Sequence, residues 1–333
     1  MLTARHPIAA VAAGILALTA LAGCAGTAEA PPSASSSSSG PVQADIVVGV
    51  GGQLSNADVY LAISEGFFED ESLTATTSTL TAGSDAVPLL LKGDLDFAAV
   101  DMATAINATQ QNVGITTVAT NIVGNPADIG YAGIMASSGS GIDRPKDLEG
   151  KKVQVNQLGG TAEVLTRAAV EADGGDASAV EFVEIAPPQA VAALAAGQVD
   201  AAVLSEPLVT VAKGQGFDYV FNPEQDTIPG LPAFVFVTTT AFAQQNPEVV
   251  AQFQAAILAA NAFANANPDA IRETAKTSTT IDPAVLALVE GLPAFGEEPI
   301  TGDQVQEFID FLVGHGALDA SAVPAGDAVV WAP

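Results

Sequence analysis

The sequence predicts an α/β fold with largely parallel strands, built as two similar lobes with a helical C-terminal part. Three observations carry this. From Asp45 onward, short β-rich runs alternate with helical stretches, the pattern of strands joined by crossover helices. A helix–glycine–strand segment occurs once in each half. After about Thr240 the strand-like runs cease and helical periodicity takes over, as expected of helices wrapping a completed sheet.

In chain order, the first half places strands at Ile46–Val50, Leu73–Leu80, Phe97–Val100, Thr116–Thr120 and Tyr131–Ala136. The second half places them at Val153–Asn156, Val180–Ile185, Ala201–Leu204, Tyr219–Phe221 and Ala233–Thr238. Each is a short run rich in β-branched or apolar residues. Helices are expected at Ala57–Glu65, Val87–Lys92, Thr161–Ala172, Gln189–Ala196 and Glu248–Asn265. The internal repeat pairs Gly93-Asp94-Leu95-Asp96-Phe97-Ala98-Ala99-Val100 with Gly197-Gln198-Val199-Asp200-Ala201-Ala202-Val203-Leu204. In both copies the glycine reads as a helix C-cap and the apolar run as a buried strand.

Length and charge bound the function. At roughly 150 residues per domain, 333 residues make about two domains, and the formal net charge is −28. With 10 Lys and Arg against 38 Asp and Glu, too few cations remain to neutralise a run of phosphates, which excludes a nucleic-acid binder. The same balance excludes docking on an anionic membrane through a basic face. The histidines are His6 and His315, and the single cysteine is Cys24. That scarcity removes zinc fingers, disulfide frameworks, iron–sulfur sites and most Cys/His catalysis, so neither a metal nor a cofactor is expected.

The N-terminus reads as a secretory address over residues 1–23. Arg5 supplies the positive region, Ile8 to Ala20 the apolar stretch, and Leu21-Ala22-Gly23-Cys24 follows. The last four residues resemble the lipobox of bacterial lipoproteins, which implies lipid attachment at Cys24 and cleavage before it. Cleavage removes Arg5 and no acid, taking the charge from −28 to −29. Residues 24–44, with Pro31-Pro32 and the run Ser35 to Ser39, lack apolar periodicity and read as a disordered tether. The expected location is therefore extracytoplasmic, on the bacterial cell membrane through lipid alone.

Four further segments resemble one family. They are Ala62-Ile63-Ser64-Glu65-Gly66-Phe67-Phe68-Glu69-Asp70-Glu71-Ser72-Leu73, Leu91-Lys92-Gly93-Asp94-Leu95-Asp96-Phe97, Asp147-Leu148-Glu149-Gly150-Lys151-Lys152-Val153, and Ala193 to Ala202 with Glu206-Pro207. In order they are similar to the "A…GFF…GL", "L..G..DF", "DLKGKKV" and "AL..G.VDAA…EP" stretches of ABC-importer solute-binding proteins. The branch is the one that takes nitrate, sulfonates, taurine and thiamine-precursor pyrimidines. Ser72 stands where that family usually has glycine. The resemblance implies a two-lobed periplasmic-binding-protein-like fold of type II with a hinge of two crossover segments. It places lobe 1 at 45–136 plus 234–333 and lobe 2 at 137–233, with crossovers near 127–137 and 233–240. It further implies a monomer that hands a small-molecule ligand to an ABC permease. No P-loop is present in this chain, so ATP hydrolysis would belong to the partner ATPase.

In open α/β sheets ligands sit at the carboxyl ends of strands, against helix N-termini. The candidate ligand-binding residues at those points are Ser55, Asn56, Ser84, Asp101, Met102, Gly159, Gly160, Thr161 and Glu206, with Tyr131 as a stacking partner beside Tyr60 and Phe234. Ser84, Asp101 and Thr161 also suit helix N-caps, and Pro207 a first helical position. Beyond the leader the arginines are Arg144, Arg167 and Arg272, none at a predicted strand end. Asp101 and Glu206 would face the cleft from opposite lobes. Two carboxylates favour a ligand rich in N–H donors, such as an aminopyrimidine or another nitrogen heterocycle. They would repel a sulfonate or nitrate unless backbone amides outweighed them.

Three functions remain in view. The first is solute capture for import; the second is a sensory lipoprotein binding the same ligand. The third is an enzyme, since the family includes pyrimidine-synthesising relatives that rely on Cys and His chemistry. Here the cysteine is committed to lipid and His315 lies in the helical tail, which leaves no catalytic residues to name. Gly49-Val50-Gly51-Gly52 lacks the third glycine of a dinucleotide fingerprint, Leu54 standing in its place. Glu69-Asp70-Glu71 and Glu297-Glu298 read as solvated surface.

Overall fold

The computed structural model describes residues 42–52, 54–80, 83–124, 131–279 and 281–332. The expected leader and lipidation site at Cys24, and all but the last residues of the tether, lie outside them. Ten strands form where the β-rich runs predict them: β1 (Ala44–Val50), β2 (Leu73–Thr79), β3 (Phe97–Asp101), β4 (Ile115–Thr120), β5 (Ala132–Ser137), β6 (Lys152–Val155), β7 (Glu181–Glu184), β8 (Ala201–Ser205), β9 (Phe217–Phe221) and β10 (Phe234–Thr239). They make two five-stranded sheets, in the orders β2-β1-β3-β10-β4 and β7-β6-β8-β5-β9. The two orders are the same pattern.

Four of the five strands in each sheet run the same way, as the alternation of strand and helix suggested, and the fifth is reversed. In each sheet one strand runs against its two neighbours: β10 between β3 and β4, and β5 between β8 and β9. The reason is topological. Each is the first strand after the chain crosses from the other sheet, so it starts at the edge where its neighbours end. Phe234 begins β10 opposite Asp101 at the end of β3, and Ala132 begins β5 opposite Ser205 at the end of β8.

The same pairing moves one expected boundary. Residues 132–137 belong to the second sheet, so the first lobe ends before β5 and not at 136. The crossovers run between β4 and β5 and between β9 and β10, several residues earlier than expected. They meet in a short ladder, with Val123 bridged to Pro232 and Gly124 to Pro229. The Gly124 amide also donates to the Leu231 carbonyl at 2.9 Å.

The internal repeat has a structural meaning. Its copies are β3 and β8, which hold the same place in the two sheets. In the first sheet the Val47 amide donates to Asp96 Oδ2 at 2.8 Å, and the Asp96 amide donates to the Val47 carbonyl at 2.9 Å. In the second, the Lys152 amide donates to Asp200 Oδ2 and the Asp200 amide to the Lys152 carbonyl, both at 2.8 Å. Gly93 and Gly197 precede them at φ of 82° and 66°, left-handed positions that end a helix without a Cβ clash.

The first lobe's core is aromatic. Phe97 on β3 stacks on Phe253 with ring centroids 3.8 Å apart, and Phe68 and Phe236 pack against the same ring. Burying each such side chain contributes about 1.5–3 kcal/mol. Phe253 lies on the helix Pro247–Ala266, the one described helix long and apolar enough to cross a membrane. Its Val250, Phe253, Ile257 and Ala260 are buried in this core.

Candidate functional site

The carboxyl ends of β1, β3 and β4 share one edge of the first sheet, and those of β6, β7 and β8 share one edge of the second. Both crossovers leave from these edges. Helices begin there where an apolar helical run follows a strand. Met102–Gln110 follows β3, and Thr161–Ala172 follows β6.

The two lobes meet at Asp101. Its side chain is the N-cap of Met102–Gln110, accepting from the Thr104 amide at 3.1 Å and from Thr104 Oγ1 at 2.7 Å. It also reaches the other lobe. Asp101 Oδ1 accepts from the Thr161 amide at 3.2 Å and from Thr161 Oγ1 at 2.9 Å. Thr161 Oγ1 in turn accepts from the Ala103 amide at 3.2 Å. Gln157 Nε2 donates to Thr104 Oγ1 at 3.1 Å, a second link between lobes. Asp101 is 4% exposed and Thr161 2%. One carboxylate thus caps two helices. The contact continues along the second helix, where Val164 and Leu165 pack into a cluster with Ala105, Ile228 and Leu231. At its far end Glu171 Oε2 meets His315 Nδ1 at 2.6 Å.

Other expected residues divide between the site and the core. Ser55 and Asn56 lie in the turn Leu54–Asn56 ahead of the helix Ala57–Ser64, and Asn56 makes no side-chain cap bond. Asn121 Nδ2 donates to the Ser55 carbonyl at 3.1 Å and to Asp58 Oδ2 at 2.8 Å. Ser84 falls in the turn Gly83–Asp85, and its side chain is outside the described residues. Gly159 and Gly160 form the turn before Thr161, with Gly160 at the N-cap position in place of Thr161. Met102 is fully buried in an apolar cluster, so its side chain is core and not ligand-facing. Tyr131 is likewise packed among Leu54, Leu61 and Ile122, which removes it as an open stacking face. Both point inward because they sit where a strand end or a crossover crosses the apolar layer.

Glu206 does not stand opposite Asp101 as a free carboxylate. It is 1% exposed, and its two oxygens accept from Thr210 Oγ1 at 2.8 Å and the Thr210 amide at 3.0 Å. It holds the start of the helix Leu208–Gly214, and Pro207 is the N-cap of that helix, not its first residue. Burial pushes its carboxyl up, while the Thr210 bonds and Lys213 pull it back. The Glu206 amide donates to the Tyr131 carbonyl at 2.8 Å, which ties the strand end to the first crossover.

Two residues at the first lobe's edge escaped the sequence reading. Asp58 and Asn121 are both fully buried. Burial pushes the Asp58 carboxyl from 3.8 up to about 7, with the Asn121 hydrogen bond opposing. An acid in the first turn of a helix looks like a routine dipole partner, so nothing local announced its burial. Asp58 Oδ1, Asn121 Oδ1 and Gln157 Oε1 are buried without hydrogen-bond partners. Gln157 Oε1 lies 3.8 Å from where a Cβ on Gly83 would be, so it points across at the first lobe. Among the described residues every unpartnered buried side-chain atom is an oxygen, and among them no His/Cys/Asp/Glu cluster suited to a metal is found.

A family model described as NMT1/THI5 like matches residues 53–271. The formylaminopyrimidine-binding protein of Halalkalibacterium halodurans is 27% identical over 214 residues, 63% of this chain and 63% of that protein. The taurine-binding periplasmic protein of Escherichia coli is 31% identical over 196 residues, 54% of this chain and 61% of that protein. The chain thus spans less than two thirds of the length of these curated relatives. In structure it resembles the alkanesulfonate-binding protein from Xanthomonas axonopodis pv. citri bound to MOPS, with a TM-score of 0.71 at 20% identity over 86% of this chain and 98% of that one. It also resembles the periplasmic nitrate-binding protein from Synechocystis, with a TM-score of 0.69 at 15% identity over 84% of each chain. Those two likenesses establish the two-lobed periplasmic-binding-protein fold, and with the family model spanning well over half of its length, the chain belongs to the NMT1/THI5-like family.

Proposed function

We propose that this chain is an extracytoplasmic solute-binding lipoprotein, anchored through Cys24, that captures a small ligand between its lobes and delivers it to an ABC permease and ATPase. The lobes are the halves carrying the two sheets, and a ligand sits between the strand ends that face each other across the two crossovers. Ligand binding without catalysis accords with the binding functions named for the relatives. The favoured ligand is an aminopyrimidine or another nitrogen heterocycle.

One observation carries the ligand class. The amide oxygens at the facing edges that lack partners are acceptors: Asn121 Oδ1 and Gln157 Oε1. An unpaired buried acceptor costs about 1–3 kcal/mol, and a ligand bearing N–H groups removes that cost. A sulfonate, nitrate or taurine ligand is the competing reading, favoured by the likeness to the taurine-binding protein.

The test is to purify the full chain from a bacterial host, unfold it, and identify any released small molecule by mass spectrometry. Thermal unfolding with 4-aminopyrimidine, thiamine, taurine and nitrate runs in parallel. A ligand at 100 times its Kd adds about 2.7 kcal/mol. Release of a nitrogen heterocycle, or a shift with one, supports the reading. Silence across the panel and an empty extract reject solute capture of this class.

A further inference from the structure

The turn that offers backbone amides to the cleft has already spent them on the protein's own carboxylates. The Leu158 amide donates to Glu184 Oε2 at 3.0 Å, the Gly159 amide to Glu163 Oε2 at 2.9 Å, and the Thr161 amide to Asp101 Oδ1 at 3.2 Å. The Gly160 amide between them goes to the Gln157 carbonyl. Across the lobe boundary the first turn of Met102–Gln110 is equally committed. The Met102 amide donates to the Ala233 carbonyl at 2.9 Å, the Ala103 amide to Thr161 Oγ1 and the Thr104 amide to Asp101.

A row of amides at a helix start is a ready anion site. Here the anion is built in. We propose that Asp101 is a specificity-determining residue, whose carboxylate holds the place between the two helix starts that a ligand's anionic group would take and so excludes sulfonates and nitrate from the cleft. This rests on the reading of the cleft as a solute site. Asp101 is suited to the role because it is buried and saturated, its oxygens taking four hydrogen bonds from Thr104 and Thr161.

The arginines of the described residues, and Lys213, are already paired. Arg167 is paired with Glu163 at 2.8 Å, and a guanidinium nitrogen donates to the Ala177 carbonyl. Arg144 pairs with Asp173, and Arg272 with Asp269 and the Val289 carbonyl. Lys213, the cation beside Glu206, is 3.7 Å from Glu290. An anion entering here meets Asp101 with no arginine among the described residues left unpaired, whereas a donor-bearing cationic ligand meets an attractive field.

The experiment titrates methanesulfonate and nitrate against the full chain and its Asp101→Asn and Asp101→Ala variants, at ionic strength matched with sodium chloride. Isothermal calorimetry and thermal unfolding are the readouts. Asparagine caps a helix as well as aspartate does, so Asp101→Asn keeps the local fold while removing the charge, and circular dichroism checks this. With the anion about 5 Å away at an effective dielectric of about 20, removing the charge tightens anion binding about 250-fold. The expected result is no saturable response in the wild type and a saturable one in both variants. Anion binding of equal strength in wild type and variants overturns the proposal, as does its absence from all three. 4-Aminopyrimidine in the same titrations separates the two readings. If the wild type binds it while the variants stay blind to anions, the specificity role fails and solute capture stands. If the wild type binds nothing while the variants gain anions, the reverse holds.

Discussion

Replacing Asp58 by asparagine should flatten the dependence of stability on pH. In the wild type this carboxyl is fully buried and has one side-chain partner, Asn121 Nδ2 at 2.8 Å, while Oδ1 has none. Loss of hydration raises its pKa from 3.8 to about 7. A folded-state value above the unfolded one means the folded chain binds the proton more tightly. The stabilisation is therefore complete below about pH 4 and is lost as pH rises through about 7. At about 1.4 kcal/mol per pH unit, the whole window is worth about 4 kcal/mol, of which about 2.5 kcal/mol falls between pH 5 and pH 8. Asparagine is neutral throughout and nearly the same shape. Urea denaturation of wild type and Asp58→Asn at pH 5 and pH 8 isolates the effect, because other acids cancel in the difference. The variant should gain on the wild type by about 2.5 kcal/mol between those two conditions. Equal differences at both pH values would mean that Asp58 is ionised in the folded chain, and would refute the burial argument.

Three other substitutions probe the architecture. Ser72 holds φ at 62°, a left-handed conformation in which a side chain is strained, so Ser72→Gly should raise stability by up to about 1 kcal/mol; an unchanged or lower urea midpoint would contradict this. A Cβ on Gly133 would lie 2.7 Å from Cζ of the Tyr219 ring and 2.9 Å from the Phe221 carbonyl oxygen. Gly133→Ala should therefore push β5 and β9 apart and cost about 1–3 kcal/mol, read as a drop in thermal midpoint. Thr161→Val removes the hydroxyl that donates to Asp101 and accepts from Ala103. It should favour separated lobes by about 1–3 kcal/mol, seen as a larger radius of gyration in small-angle scattering, and no change would show that the contact does not hold the lobes.

Much of this molecule is written in local pattern. All ten strands lie where short β-branched and apolar runs stand in the sequence, because a strand buried in a sheet needs such residues whatever its neighbours are. The helix Thr161–Ala172 matches the periodicity residue for residue. The repeat around Gly93 and Gly197 pointed to two similar lobes, because capping glycine, acid and apolar run are all short-range requirements. Ser72 adopts the turn geometry that the family's glycine would supply, which the motif alone hinted at.

Tertiary structure decided the direction of β5 and β10, since a strand's sequence carries no mark of the edge from which it enters a sheet. It also decided which candidates face the cleft. Met102 and Tyr131 went into apolar clusters, while Asp58 and Asn121 joined one edge across a separation of 63 positions. Asp101 was legible as an N-cap of its own helix three residues on. That it also caps a helix 60 positions away depends on the closeness of two lobes. Periodicity and capping report what a segment needs from its nearest residues. Hydrogen-bond partners, desolvation and the vacancy of an amide are set by whatever the fold brings alongside, and those partners lie far off in the chain.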